Sequence, residues 1–167
     1  MRAQLLDSTV AALEMVSDPR FHRTERGFQG QFHCALQAEL VRRRLVNGAR
    51  LLEMEPQKSQ VAHRTRQRPD IILHIPREST GANAMTNNVA VWALKRRASA
   101  SQAHDDFEKL DEMFFKLAYP FGFFVNIDDP RHHYGEYTGP YAERLIAIAT
   151  WLEQGEVRVE IGDPRSG

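Results

Sequence analysis

Two runs rich in β-branched residues, separated by a polar stretch, constrain this chain more than any other feature. Residues 71–75 (Ile-Ile-Leu-His-Ile) and 89–95 (Val-Ala-Val-Trp-Ala-Leu-Lys) each have the length and composition of a strand. The polar stretch 79–88 between them is typical of a hairpin-like connection. An amphipathic helix over 102–117 and another strand over 121–127 follow, so the sequence predicts strands and helices packed in layers.

The flanking segments extend this α/β order. Their patterns predict helices over 3–16 and about 24–45, a loop over 19–24 and a short strand over 50–54, followed by a basic polar stretch over 56–68. After residue 127 they predict a loop, a last helix over about 140–152 and a terminal edge strand over 157–161. We therefore expect one domain spanning 1–167, with its core at about 24–127 and an α/β sandwich built on a mixed sheet.

Composition excludes several classes of protein. Apolar residues make up 42% of the chain and charged residues 26%, which argues against a disordered or fibrous protein. No apolar run approaches the roughly 18 residues that span a bilayer, and no secretory signal pattern is evident. The single cysteine excludes an internal disulfide framework. We therefore expect a cytoplasmic protein without a membrane partner.

Positive and negative residues are separated along the chain although their totals balance. The first 100 residues hold 16 of the 22 basic residues but only 9 of the 22 acidic ones. Such a separation is compatible with one basic face that attracts phosphate groups, and equally with two halves that neutralise each other after folding. The candidate contacts to nucleic acid are five arginines: Arg64, Arg66, Arg68, Arg96 and Arg97.

Glu39 is a candidate for a buried functional acid. At about 100° per residue, its side chain projects within about 20° of Phe28 and therefore lies on the apolar face of the second predicted helix. A carboxylate turned towards a core is costly unless it is paired or binds a cation. The alternative is that Glu39 lies near the helix end and pairs with Arg42 or Arg43. Glu25, in the first turn of the same helix, is a weaker candidate.

Asp70 and Lys95 are the other candidates, one on each of the two β-branched runs. Asp70 follows Pro69 at the start of its strand, where it lies at the rim of the sheet. Lys95 ends its strand and projects on the same face as Ala93, because alternate residues of a strand share a face. Each feature alone has an ordinary explanation, as a turn and as a solvated strand end.

Taken in order, these features resemble the PD-(D/E)XK nuclease superfamily. Residues 68–74 (Arg-Pro-Asp-Ile-Ile-Leu-His) look like its aspartate strand, and residues 89–96 (Val-Ala-Val-Trp-Ala-Leu-Lys-Arg) look like its strand with the acid-x-lysine tripeptide. The next helix carries Asp106 and Lys109. The resemblance covers about residues 24–127 and implies the restriction-endonuclease-like αβββαβ sandwich. The chain departs from the family pattern at Ala93, where the family has an acid.

The resemblance also implies a catalytic site. Its metal ligands would be Asp70, the missing acid at position 93 and the main-chain carbonyl of Leu94, with Glu39 nearby, and the ion would be Mg²⁺ or Mn²⁺. Lys95 would stabilise charge on the phosphate or position the attacking water, and Lys109 would pack near the catalytic rim. The acids of that helix are expected to form a solvated face: Asp105, Asp106, Glu108, Asp111 and Glu112.

Three explanations of Ala93 stay open. In the first, an acid was replaced by engineering to abolish cleavage. The presence of Asp70, Lys95 and Glu39 favours this explanation. Alternatively, the chain is a natural homologue that binds without cutting, or another acid has taken over the role: Glu53, Glu55 or Asp105.

We therefore expect a Mg²⁺-dependent nuclease acting on nucleic acid, with DNA favoured over RNA, that Ala93 disables. The runner-up is an inactive, nuclease-like subunit that binds nucleic acid or serves in an assembly. A protein-interaction module is a third class, based only on aromatic residues near the C-terminus. A homodimer and a targeting partner protein are both compatible with a chain of this length.

Overall fold

The computed structural model of the protein describes residues 1–46, 50–54, 69–75 and 87–162. Four α-helices and six strands lie within these residues. The helices are α1 (Arg2–Glu14), α2 (Pro19–His22), α3 (Glu25–Arg42) and α4 (Ala100–Leu117). The strands are β1 (Leu51–Met54), β2 (Ile71–His74), β3 (Asn88–Arg96), β4 (Phe121–Ile127), β5 (Leu145–Glu153) and β6 (Glu156–Gly162).

The strands form one mixed sheet in which spatial order follows chain order from β1 to β6. Strands β1, β2 and β3 pair antiparallel, β3, β4 and β5 pair parallel, and β6 pairs antiparallel with β5. Helix α4 makes the connection between the parallel strands β3 and β4, as parallel pairing requires a crossover. The predicted α/β architecture with a mixed sheet is confirmed.

Helices cover both faces of this sheet. On one face, α1 and α3 bury a core that includes Phe28, Phe32 and Trp92, with Trp92 stacked on Phe123 at a ring distance of 5.1 Å. On the other face, α4 packs its apolar stripe against β3 and β4. Because side chains alternate along a strand, β3 directs Trp92 towards α3 and Ala93 towards α4.

The entry to α3 differs from the sequence prediction. The predicted loop over 19–24 is wrong for Pro19–His22, which form the short helix α2. The Asp18 carboxylate accepts the Arg20 backbone N–H at 2.9 Å, and proline at the first helical position needs no hydrogen-bond partner for its nitrogen. Thr24 then caps α3 by accepting the Gly27 N–H, so that Glu25 lies in the first turn.

The predicted last helix over about 140–152 is wrong. Residues 145–150 (Leu-Ile-Ala-Ile-Ala-Thr) are all buried and belong to β5, which lies between β4 and β6. A continuous apolar run lacks the alternation that marks a half-exposed strand, and its alanines favour a helix locally. These residues are buried on both faces of the sheet, and a strand in this position hydrogen-bonds to a neighbouring strand on each side. This position selects a strand over a helix.

An irregular segment over 128–144 connects β4 to β5 in place of a helix and contains a short 3₁₀ helix, Tyr134–Glu136. Its aromatic residues hold it against α4. The Tyr137 hydroxyl donates to the Asp111 carboxylate at 2.6 Å, and Tyr141 packs edge-on against Phe114. These contacts give the C-terminal aromatic residues a structural role.

The predicted strand over 157–161 corresponds to β6 and is confirmed at one edge of the described sheet. The basic stretch over 56–68 and most of the 79–88 connection lie outside the described residues. None of the helices in the described ranges combines the length and the apolar character that a bilayer crossing requires.

Candidate functional site

A cavity of about 120 Å³ opens where the start of β2, the end of β3, the first turn of α3 and one face of α4 meet. Five ionisable side chains line it, together with Ala93 and several apolar residues. These five are Glu25, Asp70, Lys95, Asp106 and Lys109. We call this cavity the β3 pocket.

Asp70 lies in the β3 pocket because of how β2 begins. The last pair of the β2–β3 ladder joins Ile71 to Trp92, so the Leu94 N–H lies beyond the reach of the β2 backbone. The Asp70 carboxylate replaces the missing backbone acceptor and accepts a hydrogen bond from the Leu94 N–H at 2.7 Å. Gln29 of α3 donates to the Asp70 backbone carbonyl at 3.3 Å and ties this segment to the helix. The aspartate therefore completes the edge of the sheet.

Glu25 has the equivalent role one step further along β3. Its carboxylate accepts the Arg96 N–H at 3.2 Å. Two acids from different elements, Asp70 and Glu25, thus satisfy alternate N–H groups of the same strand edge. Unpaired strand N–H groups are costly when they are shielded from water, so both carboxylates have a structural role that requires no ligand.

Glu39 lies outside the pocket, and its sequence-based assignment to the site is wrong. It is 14 residues after Glu25, which places it about 21 Å along the axis of α3. Its carboxylate is bonded by Arg42 at 2.6 Å and Arg43 at 3.4 Å. The Arg42 guanidinium lowers the pKa of Glu39 below its ordinary value. Burial of the carboxyl group acts in the opposite direction, and the Arg43 guanidinium lowers the pKa further. The alternative, in which Glu39 pairs with Arg42 or Arg43 near the helix end, is confirmed.

Ala93 and Lys95 share the wall of the pocket that faces α4, as their spacing predicted. The Ala93 methyl group is half-buried and packs against the α4 core. None of the ion pairs between described residues involves the Lys95 ammonium. Lys95 therefore presents a positive charge to the pocket next to a residue that cannot ligate a cation.

Asp106 and Lys109 form the opposite wall, so the prediction that Asp106 lies on a solvated face is wrong. Asp106 is 7% exposed, and its carboxylate accepts the Lys109 ammonium at 2.6 Å. Burial lowers the pKa of Lys109, but the Asp106 bond and the charges of Asp106, Asp105 and Asp70 outweigh it and raise the pKa. The sequence contained a signal, because Asp106 falls in the helical row 103, 106, 110, 113 and 117, whose other members are apolar.

The other acids of α4 are not part of the pocket lining. Asp105 and Glu108 are exposed, as the prediction of a solvated face requires. Glu53 on β1 is paired with His74 at 3.0 Å, and Glu55 lies outside the described residues. Neither Glu53 nor Asp105 therefore lines the β3 pocket as a replacement for the missing acid.

The arginines predicted to contact nucleic acid have different positions. The Arg96 guanidinium donates to the His22 carbonyl at 2.7 Å and to Asp128 at 2.6 Å. This side chain is therefore bonded within the protein, and its role as a nucleic-acid contact stays a prediction. Arg97 also pairs with Asp128, at 2.9 Å, but its side chain is 61% exposed. Three further arginines lie outside the described residues: Arg64, Arg66 and Arg68.

The donor set that the nuclease resemblance implies for Mg²⁺ or Mn²⁺ is incomplete in this chain. Position 93 carries a methyl group, Glu39 is distant, and one oxygen of Asp70 is bonded to the Leu94 N–H. Within the described ranges, no group of three or more His, Cys, Asp or Glu side chains is arranged to hold a metal ion. The residues present therefore do not fit that metal site.

Comparisons with known proteins assign no function, so the geometry of the pocket is the basis for the functional proposal. No protein-family model matches this chain, and neither a curated protein nor a solved structure matches it.

Proposed function

We propose that this chain has the scaffold of a metal-dependent nuclease of the PD-(D/E)XK type, and that Ala93 disables it. One observation supports the proposal: Asp70, Ala93 and Lys95 line a single pocket, as the family resemblance implies. The order α3, β1, β2, β3, α4, β4 also agrees with the αβββαβ core. An acid at position 93 would project from the same face as Lys95, towards the same phosphate.

Phosphodiester hydrolysis builds negative charge on the phosphate oxygens, and Lys95 is suited to stabilise it. An ammonium group held in a partly enclosed pocket acts on this charge more strongly than it would in bulk water. The Asp70 carboxylate lies in the same pocket but cannot hold a metal site alone. With Ala93 in place, we assign no metal-dependent step to the chain.

A second candidate function is the binding of nucleic acid without cleavage. The hydrogen bonds of Asp70 and Glu25 are consistent with the absence of cleavage, because both acids complete the β3 edge whether or not a metal ever binds. The same bonds remove the main argument for engineering at Ala93. A site that had lost its activity would still keep these two acids for their hydrogen bonds to β3. The pocket is therefore equally consistent with an engineered and with a natural alanine at position 93.

The test is to restore the acid. Ala93→Glu and Ala93→Asp should give Mg²⁺- or Mn²⁺-dependent cleavage of duplex DNA, single-stranded DNA or RNA, while the unmodified chain cleaves none of them. Ala93→Gln is the matched control, since it adds nearly the same side chain without the charge and should stay inactive. Adding Lys95→Ala to the restored variant should lower its rate by about 100-fold or more, as the loss of a single stabilising donor does.

The same variants separate the two candidates. A folded Ala93→Glu protein that cleaves no substrate with either metal would contradict the nuclease proposal. If the unmodified chain then binds nucleic acid with an affinity that falls steeply as salt is raised, the binding function is supported instead. Circular dichroism spectra that match the parent would establish that each variant is folded.

A further inference from the structure

Strand β6 ends the sheet on one side, and within the described ranges no strand pairs with its outer edge. It is 7 residues long, pairs with β5 without a register shift, and contains neither proline nor lysine. Proteins use bulges, proline and lysine to keep an edge strand from pairing with another chain. Strand β6 therefore has the length and regularity of an edge that can accept a further strand.

The hairpin between β5 and β6 determines which backbone groups of β6 point outwards. Its two turn residues have φ angles of 54° and 86°, and such a turn is closed by a hydrogen-bonded pair, here Glu153 with Glu156. Pairs with and without hydrogen bonds then alternate, so Val159 and Thr150 form a pair without them. The Thr150 carbonyl agrees with this assignment, because it points away from β6 and accepts the Asp128 N–H at 2.7 Å.

The outward N–H and C=O groups of β6 therefore belong to three apolar residues: Val157, Val159 and Ile161. The side chains of Val159 and Ile161 pack, partly buried, against the core on the α1 side of the sheet. The residues that alternate with them direct their side chains to the other face. These are the charged residues Glu156, Arg158 and Glu160. The outer edge thus combines available backbone groups with an apolar row on one face and a charged row on the other.

The charged row leaves one acid without a cation. Arg158 pairs with Glu153 at 3.1 Å and with Glu156 at 3.3 Å, and its side chain is 45% exposed. Glu160 is exposed, and none of the ion pairs between described residues involves it. Opposite charges that face each other across two strands stabilise their pairing. A further strand that places an arginine opposite Glu160 would therefore be favoured.

A second copy of β6, running antiparallel, is such a strand. Two identical copies are related by a twofold axis, so one position of β6 lies at its own counterpart. With Val159 in this position, Val157 lies opposite Ile161 of the second copy. These positions form three hydrogen-bonded pairs, in each of which two residues exchange both of their backbone bonds. Arg158 then lies opposite Glu160 of the second copy, and the reverse, in the pairs whose side chains are closest.

Other registers of the same two strands are less favourable. With Arg158 or Glu160 opposite itself, β6 forms only two hydrogen-bonded pairs, and like charges face each other directly. Like charges in these positions are destabilising. With Val157 or Ile161 opposite itself, only one hydrogen-bonded pair remains within β6. Backbone bonding and charge therefore favour the same register, the one centred on Val159.

We propose that two copies of this chain associate through β6 in the register centred on Val159, so that the six-stranded sheet continues from one copy into the other. The apolar row of each copy then extends that of its partner and is further removed from water. The inference is independent of the proposed function, since neither the β3 pocket nor position 93 takes part in it.

Sedimentation equilibrium of the purified full chain measures this association. We expect a dimer with a dissociation constant below about 100 μM. Val159→Pro removes an N–H that points outwards and no bond to β5, so the chain should fold and its dissociation constant should rise at least about tenfold. Val159→Ala is the matched control, because it keeps the N–H, and should change this constant less than about threefold. Circular dichroism spectra establish that both variants are folded.

Disulfide cross-linking tests the register without the proline variant. Cys34 is exposed, so the experiment uses a Cys34→Ser background. Val159→Cys places two thiols opposite each other, with Cα atoms about 5.5 Å apart, and should give a cross-linked dimer on mild oxidation. Val157→Cys is the matched control. Its two thiols would lie about 14 Å apart, which is too far for a disulfide.

A charge reversal tests the pairing of Arg158 with Glu160. Glu160→Arg places two arginines opposite each other and should raise the dissociation constant at least about threefold at low salt, with a smaller effect at high salt. Glu108→Arg changes a carboxylate on α4 whose side chain is 70% exposed, and should leave the association unchanged.

Several results would overturn the inference. The unmodified chain would stay a monomer at about 100 μM. Alternatively, Val159→Pro would associate as tightly as Val159→Ala, or Val159→Cys would give no more cross-linked dimer than Val157→Cys. An equal effect of Glu160→Arg and Glu108→Arg would contradict the proposed register. Because none of these measurements involves cleavage or nucleic acid, their failure leaves the proposed function untouched.

Discussion

The Asp70 carboxylate should stabilise the fold through one hydrogen bond, separately from any chemistry. Replacing it by alanine removes the acceptor of the Leu94 N–H, which is bonded at 2.7 Å. Leu94 is only 3% exposed, so little water is available to replace the carboxylate except through the β3 pocket. Replacing it by asparagine keeps a side-chain oxygen in the same place and removes the charge.

The expected magnitudes follow from this difference. A buried donor left without a partner costs about 1–3 kcal/mol. We therefore expect Asp70→Ala to lower the free energy of unfolding by about 2 kcal/mol and the melting temperature by about 4–8 °C. Asp70→Asn should stay within about 1 kcal/mol of the parent, because its amide oxygen can still accept the Leu94 N–H.

Urea denaturation followed by circular dichroism at pH 7 measures both variants. Asp105→Ala, which replaces an exposed aspartate on α4, is the control and should change stability by less than about 0.5 kcal/mol. If Asp70→Ala is as stable as the parent, or if Asp70→Asn is as unstable as Asp70→Ala, the structural role of this hydrogen bond is refuted.

Two further predictions concern packing and pH. A Cβ atom at Gly122 would lie 2.5 Å from Phe114, so Gly122→Ala should lower the free energy of unfolding by about 1–3 kcal/mol in urea denaturation. Gly135→Ala, where the space is open, should cost less than about 0.5 kcal/mol, and equal costs would contradict the packing argument. Glu39 has a lowered pKa in the folded protein because of its bond to Arg42, so its stabilising effect is present above its ordinary pKa of 4.5 and is lost as pH falls through the folded value. The stability difference between Glu39→Gln and the parent should therefore shrink between pH 7 and pH 3, and a constant difference would be evidence against this pair.

Local patterns in the sequence were sufficient for most elements that carry the β3 pocket. Alternating and β-branched residues predicted β2 and β3, and the 3.6-residue period predicted α4. The shared face of Ala93 and Lys95 follows from the alternation of a strand alone. The position of Asp70 at the rim followed from Pro69, which starts a strand without losing a ladder hydrogen bond.

The identity of the helix acid was decided only by the tertiary structure. The period of a helix assigns a residue to a face but says nothing about which turn of that face reaches the sheet edge. Glu25 and Glu39 were therefore both candidates, and the packing of α3 brings its first turn to β3. The prediction that Asp106 is solvated was wrong for a related reason. The period of a helix does not show whether an acid in an apolar row meets a partner or solvent.

Strand β5 shows the same limit at the level of a whole element. Residues 145–150 are compatible with a helix or a buried strand when only their own side chains are considered. Pairing with β4 on one side and β6 on the other selects the strand. The sequence by itself determined the local periods and therefore the faces of these elements. The tertiary structure determined which faces and ends meet, because contacts between remote segments contribute free energy that no local pattern contains.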